Sequence, residues 1–366
     1  MIKKFFKWFG IVLLVVLVGG GLFAAHEWNA DKPFLFRAYL DRFPVKMAFD
    51  NPELLTSLGF LESMGVKGHN AHLSSAHPDE TEKFFAMLNE FGEGLHEYDD
   101  EDLDANERLS KEIALYLAAM AEDFYPYRYH TDPANQMGGI QSSFPTFMDA
   151  SHQVETVEDA ENYLSRMGEL PRKFEEHLLG LRIREENDII PPRFVIERVL
   201  DEMNEFVATK PEENILYTSL ARKMEEAEKI DTAEAEEILA QTAAAIDESV
   251  YPAYSMFINY FSELESKAGE DDGYWHLPGG SEAYELALKF FTTTDYTADE
   301  IHATGLAEVA RIQGELLEIF ELEDIDVSEG YTAAMAAYSE LPEFYYEDSD
   351  AGREQILADY QTMLDE

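Results

Sequence analysis

The chain has 366 residues, with 27 Lys and Arg against 75 Asp and Glu, a formal charge of −48. So acidic a surface repels phosphate backbones, and the sequence has no basic patch, so it predicts no nucleic-acid partner. No cysteine is present, which excludes disulfides, thiolate metal sites and cysteine nucleophiles. Hydrophobic residues make up 46% of the chain, enough for a large core and against disorder.

The charge is unevenly placed. Lys3, Lys4 and Lys7 come before the first acid, Glu27, and residues 27–366 carry 24 basic and 75 acidic side chains, net −51. Residues 10–25 read GIVLLVVLVGGGLFAA, and Trp8–Ala25 is 18 residues without charge. This length suits a hydrocarbon span, and lysines before it keep the N-terminus cytoplasmic. The sequence thus predicts a basic tip and transmembrane anchor over 1–26, with the bilayer contacted through residues 8–25. A juxtamembrane segment follows over 27–43, then a helical domain over 44–366. The expected location is the bacterial inner membrane, single pass, with the main domain periplasmic. The alternative is secretion after signal cleavage, although Leu22 and Phe23 before Ala24–Ala25 fit a cleavage site poorly.

The exported part reads as all-α. Ile113–Phe124 has helical spacing. Thr156 and Asp159 form a capping box ahead of Ala160, Leu164, Met167 and Leu170, and Pro171 is expected to kink or restart that helix. Pro191 and Pro192 open another helix through Phe194–Val207. Asp231 with Glu234 opens a third, running toward Pro252. Thr297 with Glu300 opens a fourth, through Leu306, Val309, Ile312 and Ile319. Asp132–Gly139 and Gly269–Gly280 read as loops. Neither alternating strands nor a fixed-period repeat is visible.

Chemistry is sparse. His69, His72 and His77 lie within nine residues, and three imidazoles are an alternative zinc set. The loop fixes no geometry for them, so the bland reading is a polar loop before a helix at Glu80–Phe91. His26-Glu27 and His96-Glu97 lack the second histidine of H-E-x-x-H. Asp99–Asp104 reads DDEDLD, but Ala105 and Lys111 stand where a calcium loop needs glycine and glutamate, leaving an acidic helix cap. No serine-nucleophile motif or phosphate loop is present. Trp275-His276 sits in a Pro/Gly turn and could line a pocket. His302 shares a helix face with Leu306 and Val309, as a core-edge histidine does.

Several ordered segments resemble the N-terminal half of the bacterial family named domain of unknown function 885. They are Asn135–Gln141 with Phe144-Pro145, Asp159–Arg166, Ile190–Phe194, Tyr251–Tyr254, Gly273–Gly280 with Tyr284, and Thr292–Thr294 leading to Glu300–His302. The resemblance implies a helical, zinc-metallopeptidase-like fold of gluzincin type, of which this chain would be part. It also implies substrate-cleft walls, with Trp275, His276, Tyr284 and His302 as candidates. The family's metal motif, H-E-x-x-P-G-H, does not occur in the sequence. No catalytic residue is carried over, no cofactor is expected in this chain, and zinc is implied only for a full-length member. The chain is therefore expected to be inactive alone, with a second polypeptide supplying the missing half. The alternative is a non-catalytic, membrane-tethered helical binding protein.

Overall fold

The structure is a computed structural model that describes residues 17–227 and 229–365. Among the described residues there is no strand, as the sequence predicts. The chain divides into two compact units, Met1–Leu286 and Ala287–Glu366.

In the first unit, residues 17–29 are helical. Then follow α1 (Phe36–Phe49), α2 (Pro52–Leu58), α3 (Pro78–Leu95), α4 (Ala105–Phe124), α5 (Ile140–Ala150) and α6 (Val157–Glu186). Beyond these come α7 (Arg193–Ala208), α8 (Ile215–Glu226), α9 (Thr232–Ala245) and α10 (Tyr251–Glu265). α11 (Gly280–Thr292) runs from the first unit into the second.

The main core lies among α5–α10. Tyr163, Met167, Leu170 and Phe174 of α6 are fully buried against Tyr254, Phe257 and Phe261 of α10 and Ile196, Val199 and Met203 of α7. A smaller cluster joins Phe36 and Tyr39 of α1 to Leu95, Tyr98 and Leu103 around the α3–α4 connection.

The start signals fold as read. Thr156, Asp231 and Thr297 each close a reciprocal capping box, with Asp159, Glu234 and Glu300. The acidic run ends in a fourth box, Asp104 with Glu107, at the start of α4. The side-chain oxygen satisfies first-turn amides that have no intrahelical partner.

Two prolines act differently. Pro171 does not break α6, which runs 30 residues without interruption. Its missing N–H removes one ladder bond, but Leu170, Phe174, Leu178 and Leu181 bury the flanking turns. At Pro252 the ladder does change. Residues Ile246–Val250 form a π-turn between α9 and α10, and both end residues are fully buried. An extra residue in the turn accommodates a position that cannot donate.

The second unit holds α12 (Ala298–Leu322), α13 (Tyr331–Ser339) and α14 (Asp350–Asp365). Phe320 is buried there, beside the rings of Tyr331 and Tyr338. The rest of α12 is open. Leu306, Val309, Ile312 and Leu322 are 60, 52, 44 and 82% exposed. His302 is exposed too, which corrects its expected place at a core edge.

The anchor reading falls partly on residues 1–16, which lie outside the described residues. Among the described residues no helix is long and apolar enough to cross a membrane. The described part of the run, residues 17–25, is helical, with Leu17, Leu22 and Phe23 exposed.

One buried charge joins the layers of the first unit. Arg166 of α6 is fully buried and donates to His152 Nδ1 (2.8 Å), Thr56 Oγ1 (2.6 Å) and the His72 carbonyl (3.0 Å). Replacing Arg166 with Ala leaves several buried acceptors unpaired and is expected to cost about 3 kcal/mol or more. Arg166→Lys should also lose stability, since an ammonium cannot span the fork. Denaturant unfolding with hydrogen exchange checks this, and residues 66–77 should lose protection before α7 and α10.

Candidate functional site

The polar side of α6 is covered by the loop that carries the histidines. Lys67 pairs with Asp159 at 2.8 Å. Glu169 accepts from the Leu73 amide and contacts His72 Nδ1, and Arg172 donates to the Leu73 carbonyl. Glu176 accepts from the Ala76 amide. Lys173 reaches Glu53 of α2, whose carboxylate also receives the Ser74 amide, and these partners hold the Glu53 carboxyl below its ordinary range.

This clamping separates the three predicted metal ligands. His69 Nε2 pairs with Glu62, His72 with Glu169, and His77 accepts from the Asp79 amide as N-cap of α3. α3 begins at Pro78, two residues earlier than expected. The trio does not converge, and among the described residues no group of three or more His, Asp or Glu could hold a metal. The residues present do not fit zinc, so no metal chemistry is derived for them. The reason is local: His69 and His72 each pair with a carboxylate on a different element, and His77 Nδ1 is occupied by the Asp79 amide.

Where the loop meets the second half of α6, a cleft of about 370 Å³ opens. His77, Tyr129, Pro133, His177 and Arg184 are among its walls. His177, Gly180 and Arg184 share one helix face at i, i+3 and i+7. Burial, with Lys173 and Arg184 nearby, pushes the His177 imidazole down to about 4, so it is neutral at pH 7. Its Nε2 is buried without a hydrogen-bond partner. Arg184 donates through Nε and Nη2 to the Thr131 carbonyl (3.1 and 2.8 Å), tying the 129–133 loop to the helix. Beside it, burial raises the Asp132 carboxyl to about 6, against the Ala134 amide and Arg184. The cleft therefore offers a guanidinium and a neutral imidazole, and the Asp132 carboxyl adjoins its lining residue Pro133 in sequence without being part of the lining. A larger groove of about 800 Å³ lies between α3 and α4, but its charged lining is mainly Glu82, Glu93 and Glu122.

The predicted cleft-wall residues divide. His276 Nδ1 faces the Gly273 carbonyl (2.7 Å) and Nε2 the Ile190 carbonyl (3.1 Å), so the ring ties two loops together. Trp275 is 70% exposed and Tyr284 is exposed, so both remain available to a ligand. His302 lies in the second unit. The 273–280 loop does meet the 127–139 loop: the rings of His130 and Tyr274 are 5.8 Å apart, and Gly279 at φ +69° packs on Tyr127. Gly280 is required by close approach, because a Cβ there would lie 2.0 Å from the Tyr274 carbonyl oxygen.

Sequence reading missed His177, Arg184 and Asp132. The i, i+7 spacing of His177 and Arg184 was legible, whereas the approach of Asp132 depends on tertiary structure.

The sequence model of a family described as bacterial protein of unknown function (DUF885) matches residues 52–366, and the chain belongs to that family. No curated protein matches the sequence. Among solved structures it is similar to "the putative lipoprotein from Colwellia psychrerythraea", with a TM-score of 0.75 and 22% identity. The match covers 86% of this chain and 56% of that one. At that identity the likeness shows the helical fold.

Two titrations of opposite sign follow from the cleft. The unfolded His177 takes a proton near 6.5 and the native one only near 4, so its contribution to stability falls as pH drops through that window. Native Asp132 holds its proton up to about 6 and the unfolded residue only to 3.8, so its contribution rises as pH drops from 6 to 4. His177→Gln should flatten the acid-side loss of stability and Asp132→Asn should steepen it, read by denaturant midpoints from pH 7 to 4. Independently, Gly280→Ala should displace the 273–280 loop, seen as a change in Trp275 fluorescence.

Proposed function

We propose that this member of the DUF885 family forms the scaffold and one wall of the substrate cleft of an exported, membrane-anchored, peptidase-like hydrolase. In this reading the residues that perform the bond cleavage are supplied from outside the described residues. The cleft at His177 and Arg184 then receives part of the substrate, and the exposed Trp275 and Tyr284 are further contact points.

The observation that carries the reading is the open apolar face of α12. Leu306, Val309, Ile312 and Ile319, on one side of a 25-residue helix, are between 44 and 60% exposed. An apolar face of that length marks a surface that other protein covers. Two facts support it: the family match over residues 52–366, and the 56% share of the similar solved chain that this one spans. The gluzincin-type architecture and the zinc implied by the family resemblance belong to this proposal. No residue described here is assigned to a metal.

The apolar residues 8–25 after three lysines support an uncleaved anchor in the inner membrane with the domain in the periplasm. Release after cleavage is the other route to export. The similar Colwellia protein is described as a lipoprotein, which agrees with an envelope location.

A second reading is a membrane-tethered helical binding protein without catalysis. The 370 Å³ cleft favours it, because its guanidinium and imidazole can bind a ligand without any further chain.

The purified 366-residue chain separates the readings. The scaffold reading expects no stoichiometric zinc, no peptide hydrolysis, and self-association through the α12 face that Leu306→Glu with Val309→Glu relieves. Zinc at one per chain, or hydrolysis by the chain alone, would overturn it. A monodisperse protein that melts in one cooperative step, with the α12 substitutions silent, selects the binding protein.

A further inference from the structure

The helix that emerges from the anchor is joined to the domain without slack. Glu27 is 7% exposed, and its two carboxylate oxygens accept the Phe34 and Leu35 amides, each at 3.0 Å. Arg42 of α1 donates to the Trp28 and Ala30 carbonyls (3.0 and 2.7 Å), capping the end of the helix. The Tyr98 hydroxyl donates to the Pro33 carbonyl at 3.1 Å. These contacts fold residues 30–36 back alongside the last turns of the helix.

The fold-back has a consequence for depth. The Phe34 ring stacks on Phe23, with centroids 6.3 Å apart and planes within 11°, and on His26 at 4.1 Å. Phe23 belongs to the apolar run and lies two residues before its end at Ala25. At about 1.5 Å per residue, that is about 3 Å along the helix axis. A ring stacked on Phe23 therefore sits at the level where the run ends. Apart from that stacking both side chains are open: Phe34 is 73% exposed and Leu35 52%. Trp28, one turn further along, is 44% exposed and has the amphipathic character found at membrane–water boundaries.

Charge changes sign in the same place. Residues 32–46 carry Lys32, Arg37, Arg42 and Lys46 against a single acid, Asp41, in a chain that is otherwise strongly acidic. Arg42 is engaged in the cap and the Lys32 ammonium donates to the Glu97 carbonyl beside the Tyr98 ring, whereas Arg37 and Lys46 remain exposed. Exposed cations beside protruding apolar side chains match the chemistry of an anionic phospholipid surface.

We propose that the turn at residues 32–37 is a second membrane contact: Phe34 and Leu35 enter the periplasmic face of the bilayer beside the anchor helix, and Arg37 meets phospholipid headgroups. The proposal rests on the anchor reading above. The anchor helix and this wedge together fix the tilt and height of the domain, which a single flexible tether would leave free.

The cysteine-free chain allows single-site labelling. Leu22→Cys, Phe34→Cys, Leu35→Cys and Met137→Cys are each labelled with an environment-sensitive fluorophore. The full chain is reconstituted in phosphatidylglycerol–phosphatidylethanolamine vesicles, with and without spin-labelled lipid. Met137 is 89% exposed in the 132–139 loop and serves as the aqueous reference. The expected result is blue-shifted emission and strong quenching at positions 22, 34 and 35, with neither at 137. Arg37→Glu should then reduce quenching at position 35 while leaving position 22 unchanged. Quenching at 22 with aqueous emission at 34 and 35 overturns the wedge and leaves the anchor standing. A blue shift at 34 and 35 without lipid quenching also overturns it, and assigns the turn to a contact with a second copy of the chain. No quenching at 22 removes the anchor reading, and the wedge with it.

Discussion

A guanidinium sealed inside a helical core must be given acceptors, and in this protein the acceptors of Arg166 come from three separate stretches of chain. It donates to Thr56 of α2, to His152 after α5, and to the carbonyls of His69 and His72 in the histidine loop. Burial lowers its own pKa only to about 10, so it stays charged. The cost of desolvating it is met by several charge-assisted bonds, with Glu53, Glu62 and Glu169 as more distant counter-charges. His152 completes the arrangement. Its Nδ1 accepts from Arg166 and its Nε2 faces the Asp159 carbonyl at 3.1 Å, which fixes a neutral ring protonated on Nε2. Burial and Arg166 push that imidazole down to about 3, in agreement with the geometry.

The same economy of cations runs through the first unit. Basic side chains are few, and the inner ones serve as clamps on backbone carbonyls. Lys223 holds the Met148 and His152 carbonyls (2.6 and 2.7 Å), and Arg193 the Glu265 and Ala268 carbonyls at the end of α10. Arg184 does so for Thr131. A carbonyl at a helix end or in a loop is a partner that any neighbouring acid repels and only a donor can satisfy. The excess carboxylates are left on the outside, where hydration keeps so charged a surface soluble. The stretch at residues 32–46 departs from this pattern, with four basic side chains against the single acid Asp41.

The sequence made the helix starts legible because a capping box is local: the residues that satisfy one another stand three apart. Thr156, Asp231 and Thr297 were readable for that reason. Pro171 did not restart its helix, because the packing of Leu170 and Phe174, which the local rule omits, outweighs one missing ladder bond. The histidine trio, an alternative to a plain polar loop, shows the same limit. Spacing put three imidazoles close together, but Glu62 and Glu169 lie on separate elements, and the Asp79 amide claimed the third. The family segments were legible as motifs, while their roles were not. Gln141 binds the Asn135 carbonyl and Glu202, Tyr254 binds the Gln141 carbonyl, and His276 bridges two loops, so these residues build the walls more than they face a ligand.

This division of labour bears on what the cleft can do. Its lining comes from the 75–84 stretch, the 129–133 loop and α6, and each loop is tied to α6 by a charged group: Glu176 to the Ala76 amide, Arg184 to the Thr131 carbonyl. A cleft held at that many points loses little freedom when a ligand enters, so more of the contact energy is expressed as affinity. Within it, His177 Nε2 is buried with no protein partner. Leaving such an atom unpaired costs stability that a better-packed residue would not. A ligand polar group at that nitrogen would remove the cost, and Arg184 on the same helix face sets the charge such a group would carry. The scaffold and binding readings therefore share one site.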